Sequence, residues 1–479
     1  MDTRTEAPSG VPLCIDLDGT LIRSDLLIES ALKLLREDPL AALAMPFWLL
    51  TGKAHLKERI AQRAHLRVDL LPFNQEVVQF ASEAKEAGRP VVLATACDSR
   101  YAREIASHLG LFDAVHSSDG KGNLSAEAKA ETLTQSYGDG GFDYVANARC
   151  DLAVWRRARR AVVVNPERGV MSGLRKLGLD HTVLEPRAGL LGPLAKAIRP
   201  HQWLKNTLVF LPLLTAHLYT DVAAILSCVA AFVAFSLVAS AGYVVNDLLD
   251  LESDRQHPRK CLRPFASGAL PLALGLVLIP LLILGGAVFA ALLSPLFVAI
   301  VGFYLAVTLA YSLHLKKRTT VDVLVLASLY TLRVVGGTAA LGVAPSFWLL
   351  AFSMFLFLSL AFVKRFTELK VMQQSGRETV AGRGHVVEDL ALIRAFGISA
   401  GYGALLVLAL YINSPEIRVL YARPELIWLL CPVLLYWIIR VWTFAHRGWM
   451  HDDPMVFAVE DRVSQLSFLA AVIIVLLAV

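Results

Sequence analysis

From about residue 204 to residue 479 the chain is a succession of apolar segments long enough to cross a bilayer, and the first 190 residues contain none. Only a polytopic membrane bundle absorbs such a run, and the 56% hydrophobic composition follows from it. The change in composition marks a domain boundary. Hydropathy predicts nine spans, at about 204–219, 222–246, 270–291, 295–313, 321–341, 346–363, 391–412, 425–441 and 462–479. The loops at 255–263, 316–318, 364–394 and 440–462 carry 16 Lys and Arg, against Arg418 and Arg423 alone in the opposite loops. The positive-inside rule therefore puts the loops after even-numbered spans in the cytoplasm. The opening MDTRTEAPSG has no apolar core of a signal peptide, so the front of the chain is expected on that side too. A multi-pass protein of the cell (inner) membrane follows.

Six cysteines are scattered without a CxxC pair, which excludes a zinc ribbon or a disulfide framework as an organising device. The net charge of +5 is modest, and the basic residues cluster beside spans, which fits lipid headgroups and not nucleic acid. No stoichiometry is written in the sequence, and a homo-oligomer is compatible with it.

In the front part, Val11–Ile15 is a short apolar run ending in Asp16-Leu17-Asp18-Gly19-Thr20. Residues 90–95 (PVVLAT), 143–147 (DYVAN) and 161–165 (AVVVN) repeat the pattern of an apolar run closed by a polar residue, with helical stretches between. This alternation predicts an α/β fold with a parallel sheet, whose site lies beyond the carboxyl ends of the strands. Ser24 to Gly88 reads as a small helical cap, within which LAMPFWLL (43–50) is unusually apolar. The DxDGT motif after a strand resembles the haloacid dehalogenase (HAD) superfamily of aspartyl phosphotransferases, over roughly residues 11–170. The resemblance implies a Rossmannoid domain over 1–185 in which Asp16 is the nucleophile and Asp18 the general acid/base. Thr95 would bind the phosphoryl group and Lys129 would neutralise it. Asp16, Asp18, Asn147 and Asp151 would serve Mg²⁺, with Asn147 standing where the family usually has an acid. That exchange removes one negative charge and leaves open a degenerate domain kept as a regulator.

A linker or interfacial helix at 186–200 leads to the membrane part, 201–479. Its central stretch is Asn246 to Pro264, NDLLDLESDRQHPRKCLRP, directly after the second predicted span. Asp247, Asp250 and Asp254 are spaced so that a continuing helix gathers their carboxylates, with Asn246, on one face. Carboxylates crowded at a membrane surface call for a cation between them, and hard oxygen ligands suit Mg²⁺ bridging to substrate phosphates. Arg255, Arg259, Lys260 and Arg263 follow and can take phosphate oxygens. Other loops on the same predicted side add Lys205 and Asn206, Tyr311, Lys316 and Asp322, Arg333, Lys364 and Arg365, and His451, Asp452 and Asp453.

NDxxDxxxD after the second span resembles the first aspartate motif of the UbiA superfamily of membrane prenyltransferases. The second family motif, DxxxD, is not reproduced: four residues after Asp322 stands Leu326. RPxQWxKN, YSxxLKxxxxxD and VKRxxEL are similar instead to the decaprenyl-phosphate phosphoribosyltransferase branch, over essentially 196–479. The resemblance implies Mg²⁺ held by Asp247, Asp250 and Asp254, with Asp247 and Asp250 central to catalysis. The donor is then phosphoribosyl diphosphate and the acceptor a polyprenyl phosphate, met by Lys205, Asn206, Asn246, Arg259, Lys260, Arg263, Tyr311, Lys316, Arg333, Lys364 and Arg365. Asp322 would take a second cation or orient the ribose. The fused HAD domain would remove the 5-phosphate of the product, for a cell-wall arabinose precursor. Two alternatives stay open: a prenyltransferase moving the polyprenyl group from its diphosphate to a small acceptor, and an ion-coupled transporter.

Overall fold

The computed structural model describes residues 10–119, 122–186, 189–374, 384–450 and 453–479; His451, Asp452 and Arg187 at the head of the linker lie outside the described residues. The chain divides into two units, Met1–Ile198 with Val244–Leu278, and Arg199–Tyr243 with Ile279–Val479. The first unit therefore includes the aspartate stretch.

Its centre is a six-stranded sheet of β1 (Leu13–Ile15), β2 (Val91–Asp98), β3 (Ala114–Ser118), β4 (Asp143–Ala146), β5 (Arg160–Val164) and β6 (His181–Glu185). All pairings are parallel and the order is β3-β2-β1-β4-β5-β6, so the parallel α/β fold expected of the front is what forms. Both faces are covered, which is why the strands read as unbroken apolar runs. Leu13, Ile15, Leu93 and Val145 enter one core cluster, while Cys14, Val92, Tyr144 and Ala146 enter another. Each buried aliphatic side chain contributes roughly 1.5–3 kcal/mol relative to exposure, enough for alternate residues to hold each layer. Topology reverses between β1 and β4, and there the strand ends open a crevice.

Between β1 and β2 the chain makes helices Leu26–Glu37, Pro39–Ala42, Met45–Leu50, Lys53–Ala61 and Gln75–Glu86. Asp25 caps the first by accepting from the Ile28 amide. Gln75–Glu86 packs Val77 and Ala81 into the sheet's core, whereas Leu34, Ala42, Leu56, Ile60 and Ala64 form a separate small core for the cap.

Among the described residues, seven helices are long and apolar enough to cross a membrane: Val222–Leu249, Leu272–Ala291, Pro295–Leu313, Thr319–Leu341, Phe347–Gln374, Val387–Ile412 and Pro424–Arg447. An eighth arises if Pro454–Glu460 and Arg462–Ala478, bent by 81°, form one broken span. The nine predicted spans are thus corrected to seven or eight. The lost one is 204–219, which folds as a 3-10 helix Pro200–Phe210 followed by the short helix Leu211–Thr215. Pro212 has no amide to donate, His217 turns to a φ of +57°, and Lys205 and Asn206 are buried polar groups that need partners inside the protein.

Close helix packing in the second unit depends on small residues. A Cβ on Gly337 would stand 2.2 Å from the Val209 carbonyl oxygen, a backbone atom that cannot rotate away. Gly337→Val is expected to destabilise this unit by about 2–3 kcal/mol through overpacking, read as a lower Tm of the detergent-solubilised protein.

Candidate functional site

In the first unit the carboxyl ends of β1 and β4 bring together the residues that the motif singled out. Lys129, from helix Ala126–Tyr137, donates from Nζ to Asp16 Oδ1 at 2.6 Å and to the Tyr144 hydroxyl at 2.9 Å. Tyr144 passes the bond on to Asp151 Oδ1 at 3.0 Å, and Asp151 Oδ2 accepts from the Ala148 amide at 3.0 Å. Burial opposes the ammonium of Lys129, but Asp16 and Asp151 more than offset that and hold it protonated. Burial, and then Asp16, push Asp151 up to about 6.

Gly19 takes a φ of +73°, and a Cβ there would meet the Asn147 amide at 2.4 Å. The turn thus lets Asn147 close over the loop, where its Oδ1 accepts from the Thr20 hydroxyl at 3.4 Å. Thr95 is fully buried at the edge of the crevice and its Oγ1 accepts from the Cys97 amide at 3.1 Å. Asp18 accepts from the Leu26 amide at 2.9 Å. Burial first and the Asp25 carboxylate second push Asp18 up to about 8, so at neutral pH it holds a proton.

Sequence reasoning missed Lys57, which comes from the cap and lines the same narrow crevice as Asp18, Cys97, Asp98 and Tyr101. It donates to the Ala96 carbonyl at 2.5 Å and to Asn123 Oδ1 at 2.8 Å. Burial lowers its pKa. A lysine on a short, predominantly polar helix carries no signal of its own.

The aspartate stretch, in the same unit, continues the helix Val222–Leu249 into Leu251–Gln256. Two of the three carboxylates turn to one cation, Arg263, whose Nη1 lies 3.1 Å from Asp247 and 2.6 Å from Asp254. Burial keeps Asp254 above the ordinary carboxylate range even beside that guanidinium. Asp250 instead faces Arg36 at 3.3 Å. Asn246 is half-buried, Arg259 is exposed, and Lys260 opens a 3-10 turn over Lys260–Leu262.

Helix Leu26–Glu37 supplies the other partners of this stretch. Glu29, Lys33 and Arg36 lie on one face. Arg255 donates both Nη groups to Glu29, at 3.0 and 2.6 Å, and its Nε to the Ala266 carbonyl at 2.9 Å. Lys33 meets Glu252 at 2.6 Å, and Arg36 donates to the Leu249 carbonyl at 2.8 Å. The Glu29–Arg255 side chains are only 3% and 6% exposed. Arg255→Ala strands the Glu29 charge and is expected to cost about 3–5 kcal/mol. Denaturant unfolding followed by hydrogen exchange in β1–β6 would read it, and E29Q/R255M should regain most of the loss.

In the second unit the polar residues form two networks. Arg365 pairs with both oxygens of Asp322, with Glu368 at 2.6 Å and with the Tyr311 hydroxyl at 2.8 Å, and Tyr311 donates to Asp322 at 2.7 Å. His385, unforeseen from the sequence, stands 3.3 Å from Asp322. The second network joins Lys205 directly to Asp453, which also faces Lys364 at 3.8 Å. Arg333 donates to Asn206 at 2.7 Å and to Tyr304 at 2.8 Å, and Asn206 donates to Ser236 at 3.0 Å. Lys316 lies in the turn Leu315–Lys317, half-buried.

Among the described residues no group of three or more His, Cys, Asp or Glu is arranged to hold a metal ion. The donors at both acid sites are nevertheless all oxygens, the chemistry that fits Mg²⁺: Asp16, Asp18, Asn147 and Asp151 at the strand ends, and Asp247, Asp250 and Asp254 in the aspartate stretch. In the latter, the Arg263 and Arg36 guanidiniums stand where they neutralise the acids.

A protein of Sinorhizobium fredii, y4nM, is 35% identical over 457 residues, 95% of this chain and 88% of that one. Decaprenyl-phosphate phosphoribosyltransferase of Mycobacterium tuberculosis is 38% identical over 201 residues, 41% of this chain and 67% of that enzyme. A HAD family hydrolase of Salmonella enterica serovar Typhi matches in structure at 14% identity and a TM-score of 0.28, covering 34% of this chain and 65% of that one. The UbiA prenyltransferase family model matches residues 207–473, more than half of the sequence. With seven or eight apolar spans and a relative alike along almost its whole length, this multi-pass membrane protein belongs to the UbiA prenyltransferase family.

Proposed function

We propose that the chain transfers 5-phosphoribose from phosphoribosyl diphosphate to a polyprenyl phosphate of the decaprenyl type at the cytoplasmic membrane face, and that its front domain then removes the 5-phosphate. One observation carries the first half. The Asp322 carboxylate is committed to Arg365 and Tyr311, so this position presents a fixed guanidinium where a prenyl-diphosphate enzyme would present a second acid pair. Buried Lys205 and half-buried Lys364 around the single acid Asp453 add to a cationic lining suited to substrates that are anionic on both sides of the reaction. The likeness to decaprenyl-phosphate phosphoribosyltransferase supports the same choice of donor and acceptor.

Asp247, Asp250 and Asp254 would hold Mg²⁺, which when bound neutralises charge on a leaving diphosphate. Arg259, Lys260 and Arg263 bind diphosphate oxygens, and Asn246 orients them. The bond from ribose C1 to the diphosphate oxygen breaks, its electron pair leaving with the diphosphate. An oxygen of the lipid phosphate, oriented by Lys205 and Lys364, forms the new bond to C1. That oxygen is already anionic, so no side chain has to take a proton. Arg333 and Asn206, joined at 2.7 Å, would bind further substrate oxygens, and Lys316 meets an outer phosphate.

In the front domain Asp16 attacks the phosphorus of the 5-phosphate while protonated Asp18 gives its proton to the departing ribose hydroxyl. Lys129 and Thr95 hold the phosphoryl oxygens. Asp18 then draws the proton from the water that cleaves the aspartyl phosphate.

Membranes holding the full chain, incubated with phosphoribosyl diphosphate labelled in the ribose, Mg²⁺ and decaprenyl phosphate, should move label into extracted lipid. No ribose label in lipid, with a separately labelled aromatic acceptor prenylated from a polyprenyl diphosphate instead, would sink the reading.

A further inference from the structure

The short helices Pro39–Ala42 and Met45–Leu50 have two unlike faces. Inward, Ala42 is buried in the cap's small core, with Ala41, Met45 and Trp48 packed against it. Outward, Leu40 is 81% exposed, Leu43 70%, Phe47 68% and Leu50 84%. Their spacing of three, four and three residues keeps them in one stripe. No soluble surface favours such a patch, and contiguous exposed apolar residues mark an interaction face. What covers it is indicated by where the preceding helix is tied. Arg36 donates to the carbonyl of Leu249, the last residue of a membrane-spanning helix. Leu249 lies four residues, about 6 Å, past the end of the apolar run at Val245, which is the depth of the headgroup layer. Leu40 follows Arg36 by only four residues, at most about 14 Å of chain. Basic and aromatic groups flank the stripe: Lys53 and Arg63 are exposed, and the Arg63 guanidinium stands 5.1 Å from the centre of the Trp48 ring. An apolar stripe with a tryptophan and cations at its border is the composition of an element lying in a bilayer interface.

We propose that Leu40, Leu43, Phe47 and Leu50 of the cap seat in the lipid interface. The occupant is the bilayer's headgroup and upper acyl region. The crevice behind the cap, with Asp18 and Lys57 on its wall, then opens beside lipid, where an amphiphilic phosphate ester presents its head. The seating does not depend on which sugar the transferase carries.

The test uses the full chain in vesicles of phosphatidylethanolamine and phosphatidylglycerol, with the photocrosslinker benzoylphenylalanine placed singly at positions 43, 47 and 50, and at exposed position 135 on the opposite layer of the sheet. Irradiation should give phospholipid adducts at 43, 47 and 50 and none at 135. With position 50 carrying the probe, L43E/F47E should lose the lipid adduct while thermal unfolding is unchanged, since both side chains point outward. Adducts to the chain itself or to a second copy, no adduct at 47, or equal labelling at 135 would each overturn the proposal.

Discussion

Asp247→Asn is expected to lower phosphoribosyl transfer by about 10²–10³-fold, the scale on which removing one preorganised electrostatic group from a reacting site acts. Asp247 is 2% exposed at the end of a membrane-spanning helix and shares Arg263 with Asp254. Asparagine keeps its size and can still accept from Arg263, so the local fold should persist. What goes is the negative charge that a divalent cation and its diphosphate require. The check is the initial rate of label transfer into lipid, with Asp254→Asn run beside it. A rate within about threefold of the parent would remove Asp247 from the chemistry.

Asp16→Asn should abolish phosphate release, by about 10⁴-fold or more as losing a covalent nucleophile does, and leave transfer intact. The lipid product would then accumulate with its 5-phosphate, a difference visible by mass. The proposed nucleophile faces Lys129 at 2.6 Å, and an amide there could neither attack nor balance that ammonium. The pH profile of the parent adds a second readout. Asp18 is raised, so its acidic form persists through neutral pH and is lost above about 8. The cleavage step, which needs that proton, should decline on the alkaline side of that value. A front domain with no Mg²⁺-dependent phosphate release in the full chain would leave it a regulator.

Much of this was legible in the sequence. Strand ends are predictable from short apolar runs closed by polar residues, so Asp16, Thr95, Asn147 and Asp151 could be assigned to one edge before any geometry existed. The meeting of Asp247 and Asp254 was written in their seven-residue spacing on a helix, and the cation between them, Arg263, sits in the same stretch. Partners from far along the chain were not legible. Glu29 and Arg255 are 226 residues apart, and nothing in the period of either helix indicates the other. Asp453 joined two lysines from different segments for the same reason. The supposed span at 204–219 failed because a hydropathy average passes over one proline, Pro212, and a buried lysine.

The first unit is not a contiguous stretch of chain: it takes Val244–Leu278 from within the membrane part. Synthesis from the amino end therefore completes the sheet, with β6 ending at Glu185, long before Arg255 exists to meet Glu29. During that interval a nascent front domain carries an unpaired carboxylate and a bare apolar stripe. Only insertion of the helix Val222–Leu249 delivers the missing piece. Completion of the first unit thus waits on the segment Val244–Leu278, and a truncation that stops at residue 198 reproduces the waiting state and not the finished one.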